Sequence, residues 1–434
     1  MWCCSRLSLF VLAALSSLSF PLAAAAAPPL TAAVAISQAL ESHPRLQALA
    51  AERLRLDGVL ARDRQWLVDN PELSGDWARR RGGGDSTTDW EVGLDQRFEM
   101  AGQRHHRLES VQARLTALDA QIDALRIEVA GRVQIAFTTL AIARERERVA
   151  AEMVGLNDEL VRIARARLQA GDVADSDVAL ASLARSEAMR RSLEVRRATA
   201  AARRELAEAL GVASLPPLAL ETVVPPPPPQ PLDALLAHLD DHPRLAALAR
   251  ARAAAGSDLA LARAARLPDL TVGGHVGREE SRDTLIGLSL SLPLPLFHRR
   301  QAEIGAAQSE QHRLDAEAAQ VRAELAQAVG QAHAALTSAL EELDLFDREI
   351  LPSLSTHLRR IHRAYELGEM DLTTLTFTQA QVVAARFDHL QALADGWQAR
   401  VDLNRATGVV PSSTPTPDPK AETPHSGDAE RNSR

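Results

Sequence analysis

Side chains able to do chemistry are scarce in this chain, and their spacing works against it. His105-His106 and His298 fall where strands give way to helices. His357 and His362 are five apart on a helical stretch, so they do not share a face as an i, i+4 pair would. A metal site needs ligands that converge, and no such grouping can be read here. There is no GxSxG, no P-loop and no HExxH. The acidic residues are spread along helix surfaces, where charge is ordinarily solvated. The expectation is no catalytic residue, no cofactor and no bound metal, and so not an enzyme. Two small knots of acid remain: Asp172, Asp175 and Asp177 after Gly171, and Glu369 and Asp371 after Gly368.

The elements around these residues are more informative. From residue 88 to 107 the sequence changes period. Trp90, Val92, Leu94 and Phe98 alternate with Asp89, Glu91, Asp95 and Arg97, a strand with one apolar and one charged face. After Gly102 the apolar positions move to helical spacing. Leu108, Val111, Leu115, Leu118, Ile122, Leu125 and Val129 form a heptad seam that demands a partner helix.

Composition agrees with long, thin helices. Only 3% of the 434 residues are aromatic, less than a thick globular core uses. A net charge of -8 and a pI near 5.9 argue against a nucleic-acid partner. Arg6 precedes an apolar run at 7–22 and then small residues, the pattern of a cleaved secretory signal over 1–25. Cys3 and Cys4 precede that run and leave with it. After residue 30 no apolar run approaches the ~20 residues of a membrane helix, so any crossing must be made of strands.

Taken in order, the spacing predicts a helix over 30–69, ended by Asn70-Pro71. A strand follows through Leu73, Gly75 and Trp77, then a loop at 80–85, then the strand already described, each strand of about ten residues. A helix from about 103 to 170 would reach on the order of 100 Å. Gly171 breaks it, and a return helix spans about 175–210. Residues 212–231, with five consecutive prolines at 225–229, read as a stiff linker. Then the chain repeats. His242-Pro243-Arg244-Leu245 restates His43-Pro44-Arg45-Leu46, Pro268-Asp269-Leu270 restates Pro71-Glu72-Leu73, and Gly287-Leu288 sits where Gly93-Leu94 sat. The second repeat offers two alternating strands, a helix over about 299–367 that breaks at Gly368, and a last helix over about 372–406. The divisions are a signal at 1–25, repeats at 30–211 and 232–408, a linker at 212–231 and a disordered tail at 409–434.

Two repeats give four strands, apolar on one face and polar on the other, as lipid outside and water inside require. Four strands cannot close, and open edges are not tolerated in a bilayer. Three copies would supply a twelve-stranded barrel continued by a tube of coiled-coil hairpins. The plainer alternative is a soluble periplasmic coiled-coil scaffold with two hairpins packed on its helices.

In this organisation the chain resembles the TolC-like outer-membrane factor family of Gram-negative bacteria, over all of the mature chain except the tail. Asn70-Pro71-Glu72-Leu73-Ser74, with Gln96, Phe98, Glu99 and Gly102-Gln103-Arg104, is similar to the branch serving cobalt, zinc and cadmium efflux. The resemblance implies a mainly helical protein with a transmembrane β-barrel, a homotrimer set in outer-membrane lipid. It implies a periplasmic tunnel meeting an adaptor (membrane fusion) protein and a proton-driven inner-membrane pump of the resistance-nodulation-division type. A polypeptide secretion duct of the same architecture is the alternative within the fold.

The resemblance also gives the knots of acid a role. Arg167, Gly171 and Asp172, and Tyr365, Gly368 and Glu369, become tips that dock the adaptor. Asp175, Asp177, Met370, Asp371, Thr374 and Phe377 become candidates for the pore constriction. In the family a tyrosine before the second glycine and an arginine two after it hold an aspartate six after the first. Tyr365 and Asp177 match that pattern, but Met370 stands at the arginine position, and Thr374 and Phe377 replace acids.

Overall fold

A computed structural model of the chain describes residues 30–67, 69–82, 85–216, 220–279, 283–367 and 369–410. The expected signal at 1–25, Gly368 and residues 411–434 of the expected tail lie outside the described residues.

The first repeat opens with α1 (Ala32–Ser42) and α2 (Pro44–Asp63), two helices where the spacing predicts one. The break is at His43, whose ψ of 126° is extended, because the residue before a proline is pushed out of the helical region. Pro44 then starts α2 as a first helical residue, and His43 Nδ1 accepts from the Arg45 N–H at 3.2 Å. β1 (Glu72–Gly82) and β2 (Asp85–Phe98) follow. They run through Arg80 and Arg81, which their charge made look like loop. Beyond the apolar belt both faces meet water, so alternation no longer marks the strand. α3 (Gln103–Ala170) is a single helix of 68 residues and α4 (Asp175–Ala209) returns along it.

The linker is held rather than free. Leu220 bridges Leu30, Pro226 is buried against Gly396, and the Trp397 indole N–H donates to the Val224 carbonyl at 2.8 Å. The second repeat has α5 (Leu232–Ala237), a 3-10 turn at Leu239–Asp241, α6 (Pro243–Ala264), β3 (Leu270–Glu279) and β4 (Asp283–Ser291). Its long helix is α7 (Gln301–Leu345), a π turn at Phe346–Ile350 and α8 (Leu351–Glu366), where one uninterrupted helix was expected. Pro352 has no N–H for the carbonyl four residues back and crowds it. The backbone widens just ahead of it, the Leu351 N–H reaching the Phe346 carbonyl. α9 (Leu372–Thr407) closes the chain.

The core is a set of seams rather than a centre. Leu125, Val129, Val133, Ala136 and Leu140 of α3 bury against α1 and against Ala202 and Leu206 of α4. Val321, Leu325, Val329 and Leu336 of α7 bury against Ala399, Leu403 and Ala406 of α9. The repeated His-Pro motif has one job in both places. His242 Nδ1 caps α6 through the Arg244 N–H at 3.1 Å, and its Nε2 meets the Arg405 carbonyl at 2.9 Å. The sheet is antiparallel throughout, in the order β1-β2-β3-β4. Among the described residues no helix is long and apolar enough to cross a membrane.

Candidate functional site

The far ends of the helical hairpins form one unit. Tyr365 is 3% exposed, packed with Leu160, Val161 and Ala164 of α3, Ala181 of α4, Ile361 of α8 and Leu372 and Leu375 of α9. The Arg167 guanidinium lies 5.4 Å from its ring centre, a cation–π contact. The resemblance sets Tyr365 beside Asp177; the contact seen within the chain is with Arg167. Gly171, with φ of 82°, closes α3: its N–H donates to the Leu168 carbonyl at 3.0 Å and the Asp172 N–H to Arg167 at 2.9 Å. A side chain there would strain the backbone even though the space around it is open. The second tip repeats the outer bond, Glu369 N–H to the Ala364 carbonyl at 2.9 Å.

The expected constriction residues divide. Asp371 is the N-cap of α9, accepting from the Thr374 N–H at 3.4 Å and from the Thr374 hydroxyl at 2.6 Å. The Thr374 hydroxyl bond is the main reason its carboxyl is held below the usual range. This pair serves its own helix. Met370 packs against the tip cluster. Asp175 and Asp177 occupy the first turn of α4, where the helix dipole favours acid. Phe377 is 64% exposed, an aromatic ring left largely open to solvent.

At the other end the sheet separates lipid-like from water-like surface. Leu73 pairs across from Leu94 and Trp77 from Trp90, then Val92 from Val276, Leu94 from Gly274, and Gly274 from Leu288. One face is thus apolar across all four strands. Trp90 to Phe98 at ~3.3 Å per residue and a tilt of ~40° rises about 20 Å, comparable to the ~25 Å band of a membrane barrel. The other face carries Glu72, Asp76, Asp89, Glu91, Asp95 and Glu279 against Arg80 and Arg97. Arg80 is paired with Asp89 and Glu279, and Arg97 with Asp269. Asp95 and His275 lie flat on this face because their neighbours are glycines. A β-carbon at Gly273 would collide with Asp95, and one at Gly287 with the His275 ring.

The motif that carried the resemblance joins sheet to tunnel. Gln103 is 4% exposed; its amide oxygen accepts from the Ala101 N–H at 2.8 Å and its Nε2 donates to Asp269 at 2.9 Å, stitching the two repeats. Arg104 donates to the carbonyls of Arg64 and Gln65 beyond the end of α2. Arg107 is forked on Glu99, with Asp63 beside it. These roles were invisible in the sequence, which gives spacing but not which carbonyl an arginine meets. His105 and His106 share Glu109 at the surface, and His362 meets Gln379 at 2.9 Å. Among the described residues no three His, Cys, Asp or Glu side chains form a metal-binding group.

Comparison with known proteins agrees with this geometry. Residues 35–212 and 236–409 match the outer membrane efflux protein family. The chain is 25% identical to the cobalt-zinc-cadmium resistance protein CzcC of Cupriavidus metallidurans over 392 residues, 88% of this chain and 91% of the relative. Among solved structures it resembles CusC, studied for transmembrane channel formation, with a TM-score of 0.72 and 19% identity over 87% of this chain and 92% of that one. The outer membrane channel CmeC of Campylobacter jejuni gives 0.70 and 15% over 92% and 94%. The fold is that of trimeric outer-membrane channels, a barrel with four strands from each chain continued by a periplasmic helical tunnel. The soluble scaffold is thereby set aside. With one match to each of its repeats and the architecture of these channels, the chain belongs to the outer membrane efflux protein family.

Proposed function

We propose that the chain is the passive exit duct of a tripartite system that expels heavy-metal cations. In this reading a periplasmic adaptor docks on the tips around Arg167, Gly171, Asp172, Tyr365, Gly368 and Glu369. A proton-driven inner-membrane pump of the resistance-nodulation-division type loads the tunnel. The duct does no chemistry of its own.

The observation that carries the reading is the match to a cobalt-zinc-cadmium resistance protein over nearly its whole length. A second relative, the nickel-cobalt-cadmium resistance protein NccC of Alcaligenes xylosoxydans xylosoxydans, is 30% identical over 151 residues, 34% of each chain. Charge points the same way. Asp172, Asp175, Asp177, Glu369 and Asp371 gather at the tunnel end, and acids outnumber bases on the polar face of the sheet. Fixed negative charge along a water-filled path favours cations over anions.

The test is to delete the gene in its own host and measure growth and cell metal content in cobalt, zinc, cadmium and nickel. The expected result is a several-fold fall in the tolerated concentration with metal retained in the cell, restored by the native chain. Unchanged tolerance to all four, with loss of a secreted polypeptide from the medium, would favour the secretion duct instead.

A further inference from the structure

Charge on the sheet is sorted by face more sharply than a water-filled lumen alone requires. Alternation puts Trp77, Arg79 and Arg81 of β1 on the apolar, lipid-facing side, and pairing puts Trp90, Thr88 and Ser86 of β2 there with them. Arg278 of β3 stands opposite Trp90 and shares that side. The Arg79 Nε donates to the Ser86 hydroxyl at 2.8 Å, as two side chains on one face can. Three arginines therefore stand on the lipid side, and among the described residues no acid of the strands does. Arg80 and Arg97, on the inner face, are each paired with acids. Arg79, Arg81 and Arg278 are exposed, and none has an acidic partner among the described residues.

All three sit at one end of the strands. The hairpin turns lie away from the helical tunnel, which in this fold is periplasmic, so that end reaches the outer leaflet. Arg278 is level with the Trp77 and Trp90 pair, indole anchors at the edge of the apolar belt. Arg79 and Arg81 lie two and four residues beyond it, ~5 and ~10 Å higher at ~3.3 Å per residue and a tilt of ~40°. That is the hydrated headgroup layer. At the periplasmic end the same face carries Leu73, Phe98, Leu270 and Leu290 and no arginine. The other edge strand, β4, adds only Thr284, Ile286, Leu288 and Leu290 to this face, so closing the barrel brings no strand acid beside the arginines.

We propose that this rim binds the phosphorylated glycolipid of the outer leaflet, lipopolysaccharide, through the phosphates of its lipid A headgroup. A guanidinium presents a fork of donors that matches a phosphate. Ser86 holds the Arg79 Nε and leaves both terminal nitrogens for a ligand. Arg81 follows on the same face, and two like charges ~7 Å apart repel until an anion sits between them. Arg278 stands two strands away and two residues lower, ~12 Å from Arg79 between Cα atoms. One phosphate is thus gripped by Arg79 and Arg81 and a second by Arg278, as a disaccharide phosphorylated at both ends requires. Trp77 and Trp90 lie beneath, against the first carbons of the acyl chains.

The proposal rests on the fold and its place in the outer membrane, not on what the duct exports. The test uses the full chain, purified from membranes and stripped of lipid in detergent. Binding is measured for diphosphorylated lipid A, dephosphorylated lipid A and phosphatidylglycerol. The native chain should bind the diphosphorylated form roughly tenfold or more tightly than either of the others. Arg79→Gln, Arg81→Gln and Arg278→Gln together should abolish that preference. Lysine at the same three positions should lose part of it, because the charge stays and the fork goes. Arg55→Gln, Arg190→Gln and Arg313→Gln together change the net charge equally at exposed helix ion pairs and should bind like the native chain. Equal binding of the three lipids by the native chain overturns the ligand. A glutamine variant that keeps the native preference, or a helix variant that loses it as fully, overturns the site. If the glutamine chain fails to assemble, an undiminished preference in the lysine chain overturns it equally.

Discussion

His242 shows how much one side chain settles. Its Nδ1 must accept from the Arg244 N–H, and its Nε2 then donates to the Arg405 carbonyl at the end of α9. Only the neutral ring can do both. Burial, reinforced by the Arg244 charge and opposed by the Arg405 carbonyl, holds its pKa below the ordinary 6.5. The folded state thus binds this proton less readily than the unfolded one. The stability it contributes is fully present above 6.5 and is lost as the pH falls through the folded value. Thermal unfolding followed across pH 8 to 5 should show the native chain losing stability below 6.5. His242→Asn, which caps a helix without titrating, should flatten that dependence. An identical slope in the variant would remove His242 from the account.

At the scale of elements the duplication explains most of what is seen and one departure from it. α3 is uninterrupted over 68 residues, whereas its counterpart is split by the π turn ahead of Pro352. A π turn holds one more residue than the α-helix needs. Deleting Arg348, an exposed residue of that turn, should therefore restore regular helix and leave trimer dissociation within a few degrees of native. Deleting Gln320 from regular α7 would rotate everything beyond it by about 100° and misface the seam. That variant should fail to assemble, and equal behaviour of the two would contradict the assignment.

Much of this architecture was legible in the chain because alternation and heptad spacing are local signals. Trp90 through Phe98 and Leu108 through Val129 report their own environment. What escaped notice depended on partners. The π turn follows from Pro352 within a strong seam, and the break at His43 was masked by apolar spacing that continues through it. The strand ends at Arg80 and Arg81 looked like loop because both faces meet water there. The tip residues were placed by analogy and their docking and constriction roles stay proposals; within the chain Asp371 and Thr374 also cap α9 and Tyr365 meets Arg167. Phe377 stands 64% exposed, with no local signal in the sequence to say what its ring would meet.

For the whole molecule the decisive fact is that one chain is incomplete. A two-faced sheet with open edges becomes a wall only when three copies meet, and in the proposed duct the acids on its polar face would line the water-filled path. The most direct test is electrical. Detergent-purified protein in planar bilayers should give small stepwise conductances that favour cations under a salt gradient. They should grow severalfold in Phe377→Ala, if that ring narrows the entrance. Folded, membrane-extracted protein that never conducts, or that favours anions, would contradict the duct.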